Sequence, residues 1–328
     1  MSGTIQAKER ATRIIGVASG LGAPAWAYAG CARGPAVLRE AGIDAAVRRN
    51  GGSCRWEAML APLPGLRQAA LAPLCRELAA LVALCLADGD LPVVIGGDHA
   101  LAAGTWRGAT RVHGPAFGLL WIDAHLDAHT PNTSPSGNLH GMPLAALLGA
   151  DVPLLDDIEG PCLDPRHVCI LGARSFEAAE NSWLKAQGVK IFGMKEIQQR
   201  GLAAVWYDAL RHVRENTTAY GLSIDLDAVD PGDAPGVSTP AAAGFAGAAL
   251  CQSLRGLAQD AQLAAIEIAE FNPDHDPDGR TARLAIALLE SLTAPPAEQL
   301  QPWASSQNLD AAIATSQADP AGKLPRAA

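Results

Sequence analysis

The fold is decided by residues 117–129, which read Phe-Gly-Leu-Leu-Trp-Ile-Asp-Ala-His-Leu-Asp-Ala-His. The stretch begins with an apolar run, 117–122, which is typical of a buried parallel strand. Polar and apolar residues then alternate, so a strand that continued would place Asp123, His125 and Asp127 on one face. Open α/β sheets bind ligands beyond the carboxyl ends of their strands. The stretch therefore predicts a buried strand that ends in an oxygen-rich, negatively charged cluster suited to a cation.

Length and composition favour one large α/β domain. The chain has 328 residues, nearly half of them hydrophobic, and its sequence contains no apparent internal repeat or second core. We predict a single domain over residues 1–293 and a mobile tail, rich in Pro, Ala, Ser and Gln, over 294–328. The net charge of −9 and the scattered Lys and Arg residues argue against nucleic acid as a partner.

The cysteines and the amino-terminal sequence bear on the compartment. Seven cysteines are scattered along the chain without a CxxC pair, which is typical of small buried side chains in a reducing compartment. The sequence has no apparent signal peptide and no apolar run long enough to span a bilayer. We therefore expect a cytoplasmic protein with no membrane partner.

Apolar runs alternate with segments of helical spacing, which is the pattern of a doubly wound sheet. We expect strands at residues 12–17, 92–95, 117–122, 168–171, 190–192, 221–227 and 263–268. We expect helices at residues 35–49, 66–88, from about 101 onward, and at 142–149, 195–213, 247–258 and 279–293.

Two further strand ends carry polar residues. The segment Gly96-Gly-Asp-His99 follows a predicted strand, at a point where glycine permits tight turning and close backbone approach. Residues 221–227 repeat the alternation, with Asp225 and Asp227 on one face. Taken singly, each segment could be an ordinary β–α turn or a half-exposed strand end that faces water. Because the carboxyl ends of parallel strands share one edge, we expect these residues beside those of 117–129.

Together the predicted strand ends offer two imidazoles and four carboxylates, those of His99, Asp123, His125, Asp127, Asp225 and Asp227. One zinc takes about four ligands with Cys or His prominent, so this set has too many acids for it. The set suits two adjacent divalent ions at roughly 3.5–4 Å, bridged by shared carboxylates. Oxygen donors with two imidazoles favour two Mn²⁺ per chain ahead of Zn²⁺ or Mg²⁺, although other divalent first-row ions could occupy the site.

Five segments, in order along the chain, resemble the ureohydrolase family, and arginase most closely within it. They are Gly96-Gly-Asp-His99, Asp123-Ala-His-Leu-Asp127, Ser136-Gly-Asn-Leu-His140, Ser223-Ile-Asp-Leu-Asp-Ala-Val-Asp-Pro231 and Glu270-Phe-Asn-Pro273. The resemblance runs from about residue 12 to residue 292, and three metal motifs in register are highly specific. It implies a three-layer α/β/α sandwich around a mainly parallel sheet of about eight strands.

The resemblance also implies ligand sets and a reaction. One Mn²⁺ would be held by His99, Asp123, Asp127 and Asp225, and the other by Asp123, His125, Asp225 and Asp227. Four aspartates and a bridging hydroxide would leave the two ions with a net charge of about −1, which favours a small cationic guanidino substrate. The hydroxide would attack the guanidino carbon of L-arginine and yield L-ornithine and urea.

Three side chains are assigned catalytic roles by the same resemblance. Asp127 would accept a proton, His140 would shuttle protons near pH 7, and Glu270 would hold the guanidinium group. Considered alone, His140 could instead be a helix-capping loop residue, and Glu270 could be a solvated strand end.

The other end of the substrate is less well matched. The residues assigned to it are His129, Ser134, Ser136, Asn138, Glu177, Glu180 and Thr239. His129 stands where the family usually has Asn, and Ser134 where it usually has Thr, while Ser175 and Glu177 replace two aspartates. His129 could still donate to a carboxylate and Glu177 could still receive an ammonium group. These changes could nevertheless shift the length of the preferred substrate.

Three alternatives therefore stand beside arginase activity. The loop 236–240 is nearer to that of formiminoglutamases, so another ureohydrolase activity, on formiminoglutamate or a guanidino acid, is the first. A catalytically silent binding protein on the same fold is the second, and a deacetylase-like hydrolase with one zinc is the third. Family members are commonly trimers or hexamers, so the resemblance also implies a homo-oligomer.

Overall fold

Eight parallel strands form the central sheet in the computed structural model, which describes residues 10–63, 70–152 and 158–296. The strands are β1 (Thr12–Val17), β2 (Cys54–Leu60), β3 (Leu91–Ile95), β4 (Phe117–Ile122), β5 (Val168–Leu171), β6 (Lys190–Phe192), β7 (Ala219–Asp225) and β8 (Leu263–Ala269). Their order in the sheet is β2-β1-β3-β8-β7-β4-β5-β6, and every neighbouring pair is parallel. The predicted α/β class is confirmed. Beyond residue 296, the predicted tail lies outside the described residues.

Helices cover both faces of this sheet. Those in the described ranges are α1 (Tyr28–Glu40), α2 (Ile43–Arg49), α3 (Leu71–Ala87), α4 (Ala102–His113), α5 (Pro143–Leu147), α6 (Ala178–Gln187), α7 (Met194–Arg200), α8 (Leu202–Arg214), α9 (Gly247–Leu254) and α10 (Arg280–Thr293). Ile15 of β1 belongs to an apolar core with residues of α3 and α4, whereas its neighbour Ile14 belongs to a second core with residues of α8 and α10. Because strand side chains alternate between faces, these two cores lie on opposite sides of the sheet. The arrangement is the predicted three-layer sandwich.

Glycines divide two of the predicted helices. The single helix predicted at 35–49 is wrong: α1 begins earlier, contains Pro35, and is separated from α2 by Gly42 at φ +81°. Gly201, at φ +83°, separates α7 from α8 within the segment predicted as one helix at 195–213. Both positions use backbone angles that favour glycine. Strand β2, at one edge of the sheet, was not predicted.

The strand predicted to continue through residues 123–127 ends at Ile122. The chain turns there because the Asp123 carboxylate accepts a 2.7 Å hydrogen bond from the backbone N–H of His125. Asp225 accepts in the same way from Asp227 N–H at 2.8 Å. An aspartate that bonds the backbone two residues ahead forms a local turn in place of the strand ladder. The polar residues thus converge through turns at strand ends, not through alternation along a strand.

Two further features concern cysteines and hydropathy. All seven cysteines are free, and Cys31, Cys75, Cys85 and Cys169 are buried, whereas Cys162 is exposed. Among the helices in the described ranges, none has the length and apolar composition needed to cross a bilayer.

Candidate metal centre

The candidate site lies at the carboxyl ends of four adjacent strands in the middle of the sheet. In sheet order these strands are β3, β8, β7 and β4. Each strand ends in, or is followed within four residues by, a polar residue of the site: His99 after β3, Glu270 after β8, Asp225 in β7 and Asp123 after β4. The parallel topology therefore brings together residues that are up to 171 positions apart in sequence, as in the pair His99 and Glu270.

A first group of ligand atoms surrounds the ring of His99. Its Nδ1 lies 3.3 Å from Asp123 Oδ2, 3.1 Å from Asp127 Oδ2 and 3.1 Å from Asp225 Oδ2. All four side chains are buried and could hold one metal ion. Nδ1 forms no hydrogen bond with any residue that the structure describes. A buried imidazole nitrogen with three carboxylate oxygens around it fits a metal ligand, because such a nitrogen otherwise requires a hydrogen-bond partner.

A second group shares Asp123 with the first. His125 Nδ1 lies 3.5 Å from Asp123 Oδ1 and 3.1 Å from Asp227 Oδ2, so these three residues could hold another ion. The two oxygens of Asp123 thus face different groups. Asp225 belongs to the first group only, although the family resemblance implies that it holds both ions.

Concentrated negative charge changes the proton affinities of both groups. Burial and the charges of Asp227 and Asp123 raise the pKa of Asp225 well above its usual range. Burial and the charge of Asp123 raise the pKa of Asp127 to about 7. Burial alone would lower the pKa of His125, but Asp227 and Asp123 raise it to about 12. Like charges packed this closely require protons or cations between them, so a divalent ion would satisfy the cluster.

His140 and Glu270 form a pair beside the clusters. His140 Nδ1 lies 3.0 Å from Glu270 Oε1, which also accepts a 2.8 Å hydrogen bond from the backbone N–H of His99. Burial would lower the pKa of His140, but Glu270 raises it to about 9. Burial would raise the pKa of Glu270, yet His140 lowers it below its usual range. Glu270 has φ +67°, a strained angle for a residue other than glycine.

The residues assigned to the far end of the substrate fall into three sets. His129 Nε2 lies 2.9 Å from Glu177 Oε2 and 3.5 Å from Glu180 Oε1, and these three could also hold a cation. Ser134 Oγ and Ser136 Oγ accept hydrogen bonds from the N–H groups of Gly137 and Asn138 inside their own loop. Thr239 Oγ1 donates a 3.1 Å hydrogen bond to Asp227 Oδ2, so this hydroxyl contacts a candidate metal ligand.

Several residues around the clusters were assigned no role from the sequence. The indole of Trp121 stacks on His99 with ring centroids 4.2 Å apart, and its Nε1–H donates a 2.8 Å hydrogen bond to Asp123 Oδ2. Ser223 Oγ lies 2.9 Å from His99 Nε2 and donates to Glu267 Oε2 at 2.9 Å. The sequence does carry a signal for Glu267, since it is a charged residue inside the apolar strand Leu263–Ala269.

A parallel α/β sheet whose central strand ends hold buried histidine and aspartate groups defines an α/β protein with a candidate divalent-metal centre. The Arginase family model matches residues 10–294. The chain therefore belongs to the arginase family, and it is a hydrolase.

Individual relatives agree with this placement. The arginase of Bacillus caldovelox is 40% identical over 225 residues, which cover 68% of this chain and 75% of that protein. The arginase of Brevibacillus brevis is 42% identical over 219 residues, which cover 66% of this chain and 73% of that protein. The crystal structure of the Bacillus cereus arginase has a TM-score of 0.81 at 34% identity and covers 88% of this chain and 100% of its own.

Proposed function

We propose that the chain hydrolyses L-arginine to L-ornithine and urea with two Mn²⁺ ions bound at the strand ends. The proposal rests on the sharing of Asp123 between two ligand groups, of which the first is fully buried, beside a buried glutamate, Glu270. The curated relatives named above carry the name arginase, which supports arginine as the substrate.

The ligand atoms suit two divalent ions of intermediate hardness. His99, Asp123, Asp127 and Asp225 would hold one ion, and Asp123, His125 and Asp227 the other, with Asp225 contributing to the second as the family resemblance implies. Carboxylate oxygens with one imidazole per ion suit Mn²⁺, whereas imidazole is less usual for Mg²⁺. When bound, the two ions would supply a water activated as a nucleophile near neutral pH.

The protein's own groups then act on the substrate. Glu270 is a buried carboxylate with a lowered pKa, so it stays ionised and can accept hydrogen bonds from a guanidinium group. Asp127 has its carboxylate in the first ligand group, 3.1 Å from His99 Nδ1, so it can accept a proton as the nucleophile forms. His140, whose pKa is raised to about 9 by Glu270 against the effect of burial, can donate a proton to the departing amine.

Two broader properties belong to the same proposal. The free state of all seven cysteines supports a reducing compartment, so we place the enzyme in the cytoplasm. The family resemblance supports a homo-oligomer, a trimer or a hexamer.

A second candidate function is hydrolysis of another linear amidine, such as formiminoglutamate or a guanidino acid. The observation that favours it is the pair His129 and Glu177, which replaces the Asn and Asp that the family usually has at these positions. A change at the far end of the substrate would alter which acid or amine is accepted while the metal chemistry stays the same.

The test is a substrate panel on Mn²⁺-loaded protein with metal analysis on the same sample. Arginine, agmatine, guanidinobutyrate and formiminoglutamate are scored for urea or formamide. We expect urea from arginine with the highest kcat/KM and about two ions per chain. Formamide from formiminoglutamate without urea from arginine would favour the second candidate. One ion per chain, or none, would contradict the two-metal mechanism.

A further inference from the structure

Glu267 is a buried carboxylate that the proposed mechanism does not use. It lies in β8, is fully buried, and is the only charged residue of that strand. Thr105 Oγ1 donates to its Oε1 at 2.6 Å, and Trp106 Nε1–H donates to its Oε2 at 3.1 Å. A carboxylate is costly to bury, and three donated hydrogen bonds offset that cost here. The third donor is Ser223, and it connects Glu267 to the metal centre.

When Glu267 is ionised, the proton count along this connection has one solution. Ser223 has a single hydroxyl proton, which it donates to Glu267 Oε2 at 2.9 Å. Trp106 can only donate to the same oxygen, so Oε2 must act as an acceptor. Ser223 Oγ lies 2.9 Å from His99 Nε2 and has only acceptor capacity left for it. His99 Nε2 therefore carries a proton, and in a neutral ring Nδ1 is left with a free lone pair.

That lone pair points where a ligand is needed. Nδ1 is the atom that lies 3.1–3.3 Å from carboxylate oxygens of Asp123, Asp127 and Asp225. The plane of the ring is fixed independently, because it stacks on Trp121 at an interplanar angle of 19°. Second partners of a metal-bound histidine commonly set its tautomer and orientation.

We propose that Glu267 is a positioning residue for metal binding: through the Ser223 hydroxyl it holds His99 in its Nε2–H form, with Nδ1 free for the first ion. Glu267 touches neither the ions nor the substrate in this role. The inference rests on the proposed metal binding, and it assigns the effect to the ion held by His99. The ion held by His125 and Asp227 is connected to this Glu267–Ser223–His99 relay less directly, through the shared Asp123 and through the bond from Asp227 N–H to Asp225.

The test measures Mn²⁺ binding to the full-length, metal-stripped chain, with both the number of ions and the Kd of each determined. Ser223→Ala removes the hydroxyl that accepts the hydrogen bond from His99 Nε2–H. We therefore expect one of the two ions to bind about 10–100-fold more weakly. Glu267→Leu frees the Ser223 proton to donate to His99 and favour the wrong tautomer, so a similar loss is expected. The double variant should lose little more Mn²⁺ affinity than either single variant, because both substitutions act through the same Glu267–Ser223–His99 hydrogen bonds.

Glu267→Gln separates hydrogen bonding from charge. Its carbonyl oxygen can take the place of Oε2 and accept from Ser223 and Trp106, while its amide nitrogen donates to the Thr105 oxygen. We therefore expect Glu267→Gln to retain more affinity for the first ion than Glu267→Leu. A residue that only filled space would give no such recovery.

Thr110→Val is the matched control. Thr110 is a buried threonine on α4, and its hydroxyl donates to backbone carbonyls of Arg107 and Pro161, away from the ligand groups. Its removal should leave both Kd values unchanged. The relay is refuted if the wild type binds two ions and both Kd values of Ser223→Ala lie within about twofold of the wild-type values. It is also refuted if Thr110→Val raises Kd as much as Ser223→Ala does. A wild type that binds no metal would instead refute the proposed function itself.

Discussion

His140 Nδ1 lies 3.0 Å from Glu270 Oε1, so the proposed proton shuttle and the proposed guanidinium acceptor form one hydrogen-bonded unit. The same oxygen accepts from the backbone N–H of His99, which also carries a candidate metal ligand. A guanidinium group bound by Glu270 would therefore lie close to both His140 and the ligand groups. This proximity allows one bound orientation to serve substrate recognition, nucleophilic attack and proton transfer.

Replacing His140 tests the proton-transfer role. His140→Asn keeps a hydrogen-bonding side chain beside Glu270 but removes the group that can carry a proton near pH 7. We expect kcat for arginine to fall by about 10²-fold or more, while KM and the number of bound ions change little. Steady-state kinetics and metal analysis on one preparation give both results. A variant with normal kcat, or one that has lost an ion, would exclude this role.

Replacing Glu270 tests guanidinium recognition. Glu270→Gln can still accept from His99 N–H, so the local fold should persist, but its negative charge is lost. Removing one partner of a buried charge pair costs about 2–5 kcal/mol, so kcat/KM for arginine should fall at least about 30-fold. Circular dichroism and ion counting serve as controls and should match the wild type. An unchanged kcat/KM would place the guanidinium elsewhere.

The close approach of Gly97 to a neighbouring loop gives a prediction with a built-in control. A Cβ at Gly97 would overlap the backbone carbonyl oxygen of Ser19, whereas a Cβ at Gly96 would have its nearest neighbour at 3.6 Å. Gly97→Ala should therefore displace Asp98 and His99, lower the free energy of unfolding by about 1–3 kcal/mol and weaken metal binding. Gly96→Ala should be close to neutral. Denaturant titration of both variants gives their free energies of unfolding. Equal losses of stability in Gly97→Ala and Gly96→Ala would contradict the steric argument.

The sequence predicts much of this architecture because its strands are strongly apolar. Runs such as 117–122 and 263–268 lie in buried central strands, and their polar ends mark the sheet edge where the ligand groups meet. Strand β2 escaped prediction because it lies at an edge and is mostly half-buried, so its residues give no apolar run. The exact helix ends depend on Gly42 and Gly201, which have positive φ angles, and a glycine in the sequence does not by itself state which φ it adopts.

The internal arrangement of the site was harder to predict. Alternation along a strand and a turn capped by its own aspartate have the same sequence, and only the observed bond from His125 N–H to Asp123 distinguishes them. Glu267 contacts the site because β7 and β8 are adjacent, and Trp121 of β4 stacks on His99, which follows β3. Such contacts require the strand order, which a single sequence does not state.

Metal binding should strengthen as pH rises. A bound ion requires neutral imidazoles and ionised carboxylates. In the metal-free chain His125 holds a proton, because the charges of Asp227 and Asp123 raise its pKa to about 12 against the lowering effect of burial. Burial and Asp123 raise the pKa of Asp127 to about 7, so this carboxyl also holds a proton below pH 7. Binding must displace these protons, and Kd should fall about tenfold per pH unit for each proton released.

Calorimetry checks this prediction directly. Titrations with Mn²⁺ at pH 6, 7 and 8, in buffers of different ionisation enthalpy, report the number of protons released together with Kd. More protons should be released at pH 6 than at pH 8, because Asp127 has lost its proton at the higher value. A Kd independent of pH would mean that the ligand groups are already deprotonated in the metal-free chain.

Substrate selectivity should depend on Glu177, whose side chain is 57% exposed and lies 2.9 Å from His129 Nε2. If Glu177 receives the α-ammonium group of arginine, Glu177→Gln should raise KM for arginine by about fivefold, because a partly exposed ion pair contributes roughly 1 kcal/mol. kcat should stay the same, since this contact is equal in the ground and transition states. Guanidinobutyrate lacks the ammonium group, and its KM should not change. Equal increases in KM for both substrates would show that Glu177 affects the site by positioning His129 and does not bind the ammonium group.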